Sequence, residues 1–176
     1  MTEPGLVPTF TDGVLTLSGY TATDAAAHVA GEDEETARRF GWWPAVSTEA
    51  GVLAAFERWA ESWRTGGPVR TFAARDSRTG ELVGGCELRI DSADSGFVSY
   101  WTGAQHRRKG YAVRALRLLR EYAVSIGVGQ LEADVADDNF ASRRVAENCG
   151  FALAGDYIDE QTAVHMIRYL WPGQIS

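Results

Sequence analysis

The chain has 176 residues, 45% apolar and 23% charged, a balance that suits one globular domain with a single core and excludes a disordered or fibrous chain. Its formal net charge of −7 argues against nucleic acid as a partner, because broad contact with the phosphate backbone calls for a basic face. The apolar runs are too short to cross a bilayer, Met1-Thr2-Glu3-Pro4-Gly5 lacks the basic and apolar regions of a leader, and the distant Cys86 and Cys149 suit a reducing compartment; one domain over residues 1–176, cytoplasmic and without a membrane partner, is expected.

Taken in order, Gly13–Leu17 reads as a short strand, and Thr23-Asp24 ahead of three alanines reads as a helix start with a capping side chain. A second short helix is expected over Glu34–Phe40, broken by Gly41-Trp42-Trp43-Pro44 because the residue before a proline is pushed out of the helical region. From Ser47, the positions Val52, Leu53, Phe56, Trp59, Ala60 and Trp63 recur at three- and four-residue steps, so an amphipathic helix runs to about Arg64 and stops at Gly66-Gly67-Pro68. Arg70–Arg75 and Leu82–Ile90, joined by the turn formers Asp76 to Gly80, predict an antiparallel hairpin, with Phe97–Trp101 as a further strand.

A long helix follows from about Gly110, with Ala115, Leu116, Leu119 and Tyr122 on one face and Arg114, Arg117 and Arg120 on the other. Leu131–Val135 then reads as a strand and Phe140–Cys149 as a helix with Asn139 at its cap and Gly150 as its stop. Two strands, about Ala152–Tyr157 and Val164–Tyr169, close the chain. Seven strands interleaved in this way imply an α/β fold with a mixed sheet and helices on both faces.

Chemistry is concentrated where the Phe97–Trp101 strand leads through Thr102 into Arg107-Arg108-Lys109-Gly110-Tyr111-Ala112 and straight into the long helix. A glycine loop at a helix start offers unpaired N–H groups and the positive end of the helix dipole, an anion cradle. Gly110 permits close approach of a ligand, Ala112 leaves it room, and the three basic side chains can neutralise phosphate. A solvated run of charge is the plainer reading of those three. A dinucleotide fingerprint would need glycines at Ala112 and Ala115, and a Walker A loop would need Gly-Lys-Ser/Thr where Lys109-Gly110-Tyr111 stands, so both fail. His28, His106 and His165 have no metal-ligand spacing, and no metal is expected.

The segment resembles the Arg/Gln-x-x-Gly-x-Gly/Ala loop of the GNAT superfamily of N-acetyltransferases. Gly84-Gly85-Cys86-Glu87-Leu88, Ser99-Tyr100-Trp101 and Asn139-x-x-Ser142-x-x-Val145-Ala146-Glu147-x-x-Gly150-Phe151 are similar to its RimJ/RimL-type branch. The resemblance spans roughly Leu15 to Tyr169 and implies a GNAT fold, a mostly antiparallel splayed sheet of about seven strands in which two neighbouring strands part to admit the pantetheine arm of acetyl-CoA or another acyl-CoA. It implies that Tyr100, Trp101 and Thr102 flank that arm with Leu131–Val135 across the gap, that residues 107–112 hold the pyrophosphate, that Asn139 and Ser142 lie near the thioester, and that Arg143 and Arg144 lie close to polar groups of the cofactor. It further implies direct acetyl transfer to a primary amine, on a protein N-terminus or a small molecule, with a homodimer left open.

Direct transfer needs a neutral amine beside the thioester, donors for the developing oxyanion and an acid for the departing thiolate. The family's usual tyrosine acid and glutamate base fall at Ala146 and Phe97, which leaves open an alternative, an acyl-CoA-binding regulator without catalysis. Ser142 is the branch's candidate acid, against a purely helix-stabilising role. Glu87 is the remaining candidate base, directly or through water, against a solvent-facing strand residue. Trp42 and Trp43 are candidates to line the acceptor pocket, against burial as core.

Overall fold

The computed structural model describes residues 6–173; the Met1–Gly5 segment read for a leader lies outside them. Strands β1 (Phe10–Thr11) and β2 (Leu15–Ser18) lead through a 3-10 turn at Ala22–Asp24 into helix α1 (Ala25–Gly31). Helix α2 (Glu34–Phe40) starts where the Asp33 carboxylate accepts the Thr36 amide hydrogen at 2.9 Å, the capping arrangement that satisfies a donor left unpaired at a helix start. Helix α3 (Glu49–Thr65) is capped in the same way by Thr48. The remainder runs β3 (Val69–Asp76), β4 (Leu82–Ile90), β5 (Ser95–Thr102), α4 (Tyr111–Ser125), β6 (Gln130–Ala136), α5 (Phe140–Asn148), β7 (Ala152–Ile158) and β8 (His165–Pro172).

The strands form one sheet in the order β1-β2-β3-β4-β5-β6-β8-β7. Eight strands replace the expected seven because Phe10-Thr11 pairs with Thr16-Leu17, a two-residue ladder too short to produce a period-two pattern. Every pairing is antiparallel except β5 with β6, and that parallel pairing covers only Ser95 to Phe97 against Gln130 to Glu132. Beyond Phe97 the strands diverge, so the sheet is splayed at its centre, and the facing backbone edges of Val98–Thr102 and Ala133–Ala136 have no strand between them.

Alternation along the strands sends Phe72, Cys86, Leu88 and Val98 to the face beneath α4, where Leu116, Leu119 and Ala123 have no exposed surface. Each such leucine contributes about 1.5–3 kcal/mol by leaving water. Helices α1 and α3 pack against each other over the opposite face, with Tyr20 stacked on Phe56 at 4.5 Å between ring centres. A side chain at Gly85 would place its Cβ 2.1 Å from Tyr20 Oη and 2.7 Å from Trp101 Nε1, so this strand position admits only glycine if the helical layer is to seat this closely.

Candidate active site

The parted strands open beside the N-terminus of α4. The chain enters that helix through Arg108 at φ 63 and Gly110 at φ 79, two left-handed residues that turn successive N–H groups toward the same side. Among the described residues, the amides of 110–113 have no hydrogen-bond acceptor, so the loop presents a run of free donors at the positive end of a four-turn helix. Tyr111 fixes the start of the helix by donating its hydroxyl to Asp76 Oδ2 at 2.7 Å, a bond that holds the Asp76 carboxyl down to about 2. A groove of about 520 Å³ runs from this loop into the gap; Tyr100, Trp101, Thr102, Arg107, Arg108, Gly110, Tyr111, Ala112, Asn139 and Ser142 all line it.

The basic residues of the loop have different surroundings. The Arg107 guanidinium forms a two-pronged pair with Asp33 at 2.7 and 2.9 Å and donates to Thr36 Oγ1 at 3.0 Å, so it ties the loop to α2. The bond from Arg107 holds the Asp33 carboxyl well below the usual carboxylate range, aided by the Thr36 amide. Arg108 has no acidic partner among the described residues and faces the groove, whereas Lys109 is exposed and outside its lining. Arg143 is engaged elsewhere: it donates to the Asp137 carbonyl at 3.0 Å, to Asp137 Oδ1 at 2.8 Å and to Tyr169 Oη at 3.2 Å, and it lines neither the groove nor the cavity next to it. Arg144 is exposed and likewise outside both.

Across the gap, Asn139 caps α5 by accepting the Ser142 amide hydrogen at 3.2 Å. The Ser142 hydroxyl is not turned back on its own helix; it donates to Tyr100 Oη at 2.9 Å, and Tyr100 donates to the Ser142 carbonyl oxygen at 2.9 Å. Burial pushes the Tyr100 phenol up to about 12, with the Ser142 bond opposing. A pair of hydroxyls therefore stands between β5 and α5 at the inner end of the groove, both neutral in the working pH range of an enzyme. Ala146, at the position of the usual family acid, has no exposed surface.

A second cavity, of about 210 Å³, shares Thr36, Phe40, Tyr100 and Trp101 with the groove and lies on the face of α1 and α3. Glu87 projects into it from β4, opposite Ser99 of β5, with one hydrogen bond from Thr71 Oγ1 at 3.2 Å. Trp42 lines it; Trp43 does not, being 40% exposed with the Arg38 guanidinium over its ring at 4.7 Å. Four further lining residues, Tyr20, His28, Glu32 and Trp59, were not singled out by the sequence as a site. The one local signal was the four-residue spacing of His28 and Glu32, which places both on one side of α1. Their side chains approach to 3.0 Å, and burial, which would raise the Glu32 carboxyl, is outweighed by bonds from His28 and Ser47 that lower it. Among the described residues no group of His, Cys, Asp and Glu could hold a metal ion, and no helix is long and apolar enough to cross a membrane.

Residues 15–152 match the acetyltransferase (GNAT) domain family. The chain is 36% identical over 76 residues to the "uncharacterized N-acetyltransferase YjdG" of Bacillus subtilis, a match that spans 42% of this chain and 45% of that relative, less than half its length. Among solved structures, RimL, a ribosomal alpha-N-protein acetyltransferase in complex with coenzyme A, is similar with a TM-score of 0.82 at 14% identity, covering 97% of this chain and 99% of that one. The microcin self-immunity acetyltransferase MccE, in complex with acetyl-CoA and AMP, is similar with a TM-score of 0.76 at 18% identity, covering 96% and 98%. At these identities the two solved structures attest a shared fold.

Proposed function

Because the chain belongs to the acetyltransferase (GNAT) domain family, we propose that it transfers an acetyl group from acetyl-CoA directly to a primary amine, as an N-acetyltransferase of the RimJ/RimL type. The observation that carries this reading is the short pairing of β5 with β6, which opens a gap next to the unpartnered amides of 110–113. Those amides fit a pyrophosphate and the gap fits an extended pantetheine arm, which would gain backbone partners on β5 as an added strand does. Arg108 supplies a positive charge that faces the groove, and Arg107 organises α2 through its side chain.

Acyl transfer in this site forms one C–N bond and breaks one C–S bond. The amine comes from the smaller cavity, and its extra proton leaves through Glu87, directly or by way of a water. The departing sulfur takes a proton from Ser142 Oγ, which in the resting site donates to Tyr100 Oη at 2.9 Å, and the serine regains a proton from solvent as the thiol leaves. The groove and the cavity share the Tyr100 and Trp101 wall, so thioester and amine meet without an acyl-enzyme.

Release of free thiol from acetyl-, propionyl- and succinyl-CoA, each crossed with N-terminal peptides, polyamines and aminoglycosides, tests this reading. Amine-dependent release with at least one acyl donor is expected. Binding of all three donors without release on any amine would leave an acyl-CoA-binding protein and end the proposal.

A further inference from the structure

The 210 Å³ cavity bears on which amine is used, an inference that rests on the acetyltransferase activity proposed above. Two carboxylates line it, Glu87 on the sheet and Glu32 on the helical wall, and no lysine or arginine does. The Glu32 side chain is only 10% exposed. Glu87 accepts one bond, from Thr71, although a carboxylate has room for about four. Tyr20 Oη is buried in the same wall without a hydrogen bond, and His28 Nδ1 lies 3.0 Å from Glu32 Oε1. Much of the remaining lining is aromatic, with Trp42, Trp59 and Trp101 among Thr36, Thr71, Cys86 and Ser99. A carboxylate with spare acceptor capacity, beside a second carboxylate and among tryptophans, suits a cation, since carboxylates and indole rings both attract ammonium groups.

We propose that the acceptor is a compact aliphatic amine with a second cationic nitrogen, a diamine or polyamine, seated between Glu87 and Glu32 against the three tryptophans. The reacting nitrogen lies at the Glu87 end, where β4 adjoins the parted strand, and the second ammonium at the Glu32 end, where His28 and Ser47 hold the carboxylate. A cavity of about 210 Å³ has room for a short alkyl diamine.

The test compares diaminobutane, aminobutane and a pentapeptide with a free N-terminus, each titrated calorimetrically into the complex of the protein with CoA and each assayed for thiol release from acetyl-CoA. Diaminobutane is expected to bind and react about tenfold or more better than aminobutane, and Glu32→Gln to reduce that preference to within about threefold. Equal binding of diamine and monoamine, or faster turnover of the pentapeptide than of either, overturns the proposal while leaving the transferase in place. Diamine binding without thiol release from any amine would instead sink the transferase reading and keep the cation site.

Discussion

Ser142 on α5 donates its hydroxyl hydrogen to Tyr100 Oη on β5 at 2.9 Å, and Tyr100 returns a bond to the Ser142 carbonyl oxygen at the same distance. The two residues lie on opposite sides of the parted sheet, so one clasp both limits how far the gap can widen and places a hydroxyl proton at its inner end. If Ser142 supplies the proton to the thiolate, Ser142→Ala lowers kcat by roughly a hundredfold with little change in acetyl-CoA affinity. Tyr100→Phe keeps the ring, frees the serine hydroxyl and costs less, about three- to tenfold. Thiol-release kinetics on the two variants check the order; equal and negligible effects would remove both from the chemistry.

Gly110 occupies the left-handed region with open space where a Cβ would sit, so the conformation, and not crowding within the chain, demands glycine. Gly110→Ala is expected to cost about 1 kcal/mol in stability and to weaken CoA binding about tenfold or more, because the new methyl projects where the phosphates approach. Thermal unfolding and calorimetric titration separate the two effects. Unchanged CoA affinity would move the phosphates elsewhere.

The link between Asp33 and Arg107 predicts a pH dependence whose sign follows from the depressed carboxyl. A lowered folded pKa means that the stabilisation is fully present above the ordinary aspartate value near 4 and fades as pH falls through the folded value. Asp33→Asn, which retains the capping oxygen, should therefore be less stable than the parent at pH 6 to 8. The difference should shrink below about pH 4, and it should be modest because the pair is about a third exposed. Denaturant unfolding at a series of pH values measures it.

Gly85→Ala would drive a methyl into Tyr20 Oη, Trp101 Nε1 and the Phe72 carbonyl, two side-chain atoms and one of backbone. Overpacking of this kind costs roughly 1–3 kcal/mol. Because Tyr20 and Trp101 also line the smaller cavity, the affinity for amine should fall while that for CoA holds, a split that paired titrations resolve.

Much of this arrangement was legible in the residues because it is local. Asp33 and Gly41 delimit α2 on the bounds that the sequence predicts, and a glycine between a strand and a long amphipathic helix announces an anion loop without reference to the rest of the chain. What the sequence left hidden is set by contacts distant in the chain. Arg107 and Asp33 are 74 positions apart, and Tyr100 and Ser142 are 42 apart, so no periodicity or capping rule could tell which arginine faces the groove or where the serine hydroxyl points. The second cavity needs α1, α3, β4 and β5 together; accordingly Trp59 reads along α3 as an ordinary core position, and Glu32 as one charge in the Glu32–Glu35 acidic block. The two-residue β1 falls below the length at which alternation means anything.

In the proposed transfer, acyl group and amine meet in one complex across the Tyr100 and Trp101 wall. Initial velocities of thiol release, measured while acetyl-CoA and amine are varied together and with the acetylated amine identified by mass spectrometry, test this most directly. Intersecting lines, with one acetylated amine formed per thiol released, are the predicted result; parallel lines with acetyl carried on the protein would contradict it.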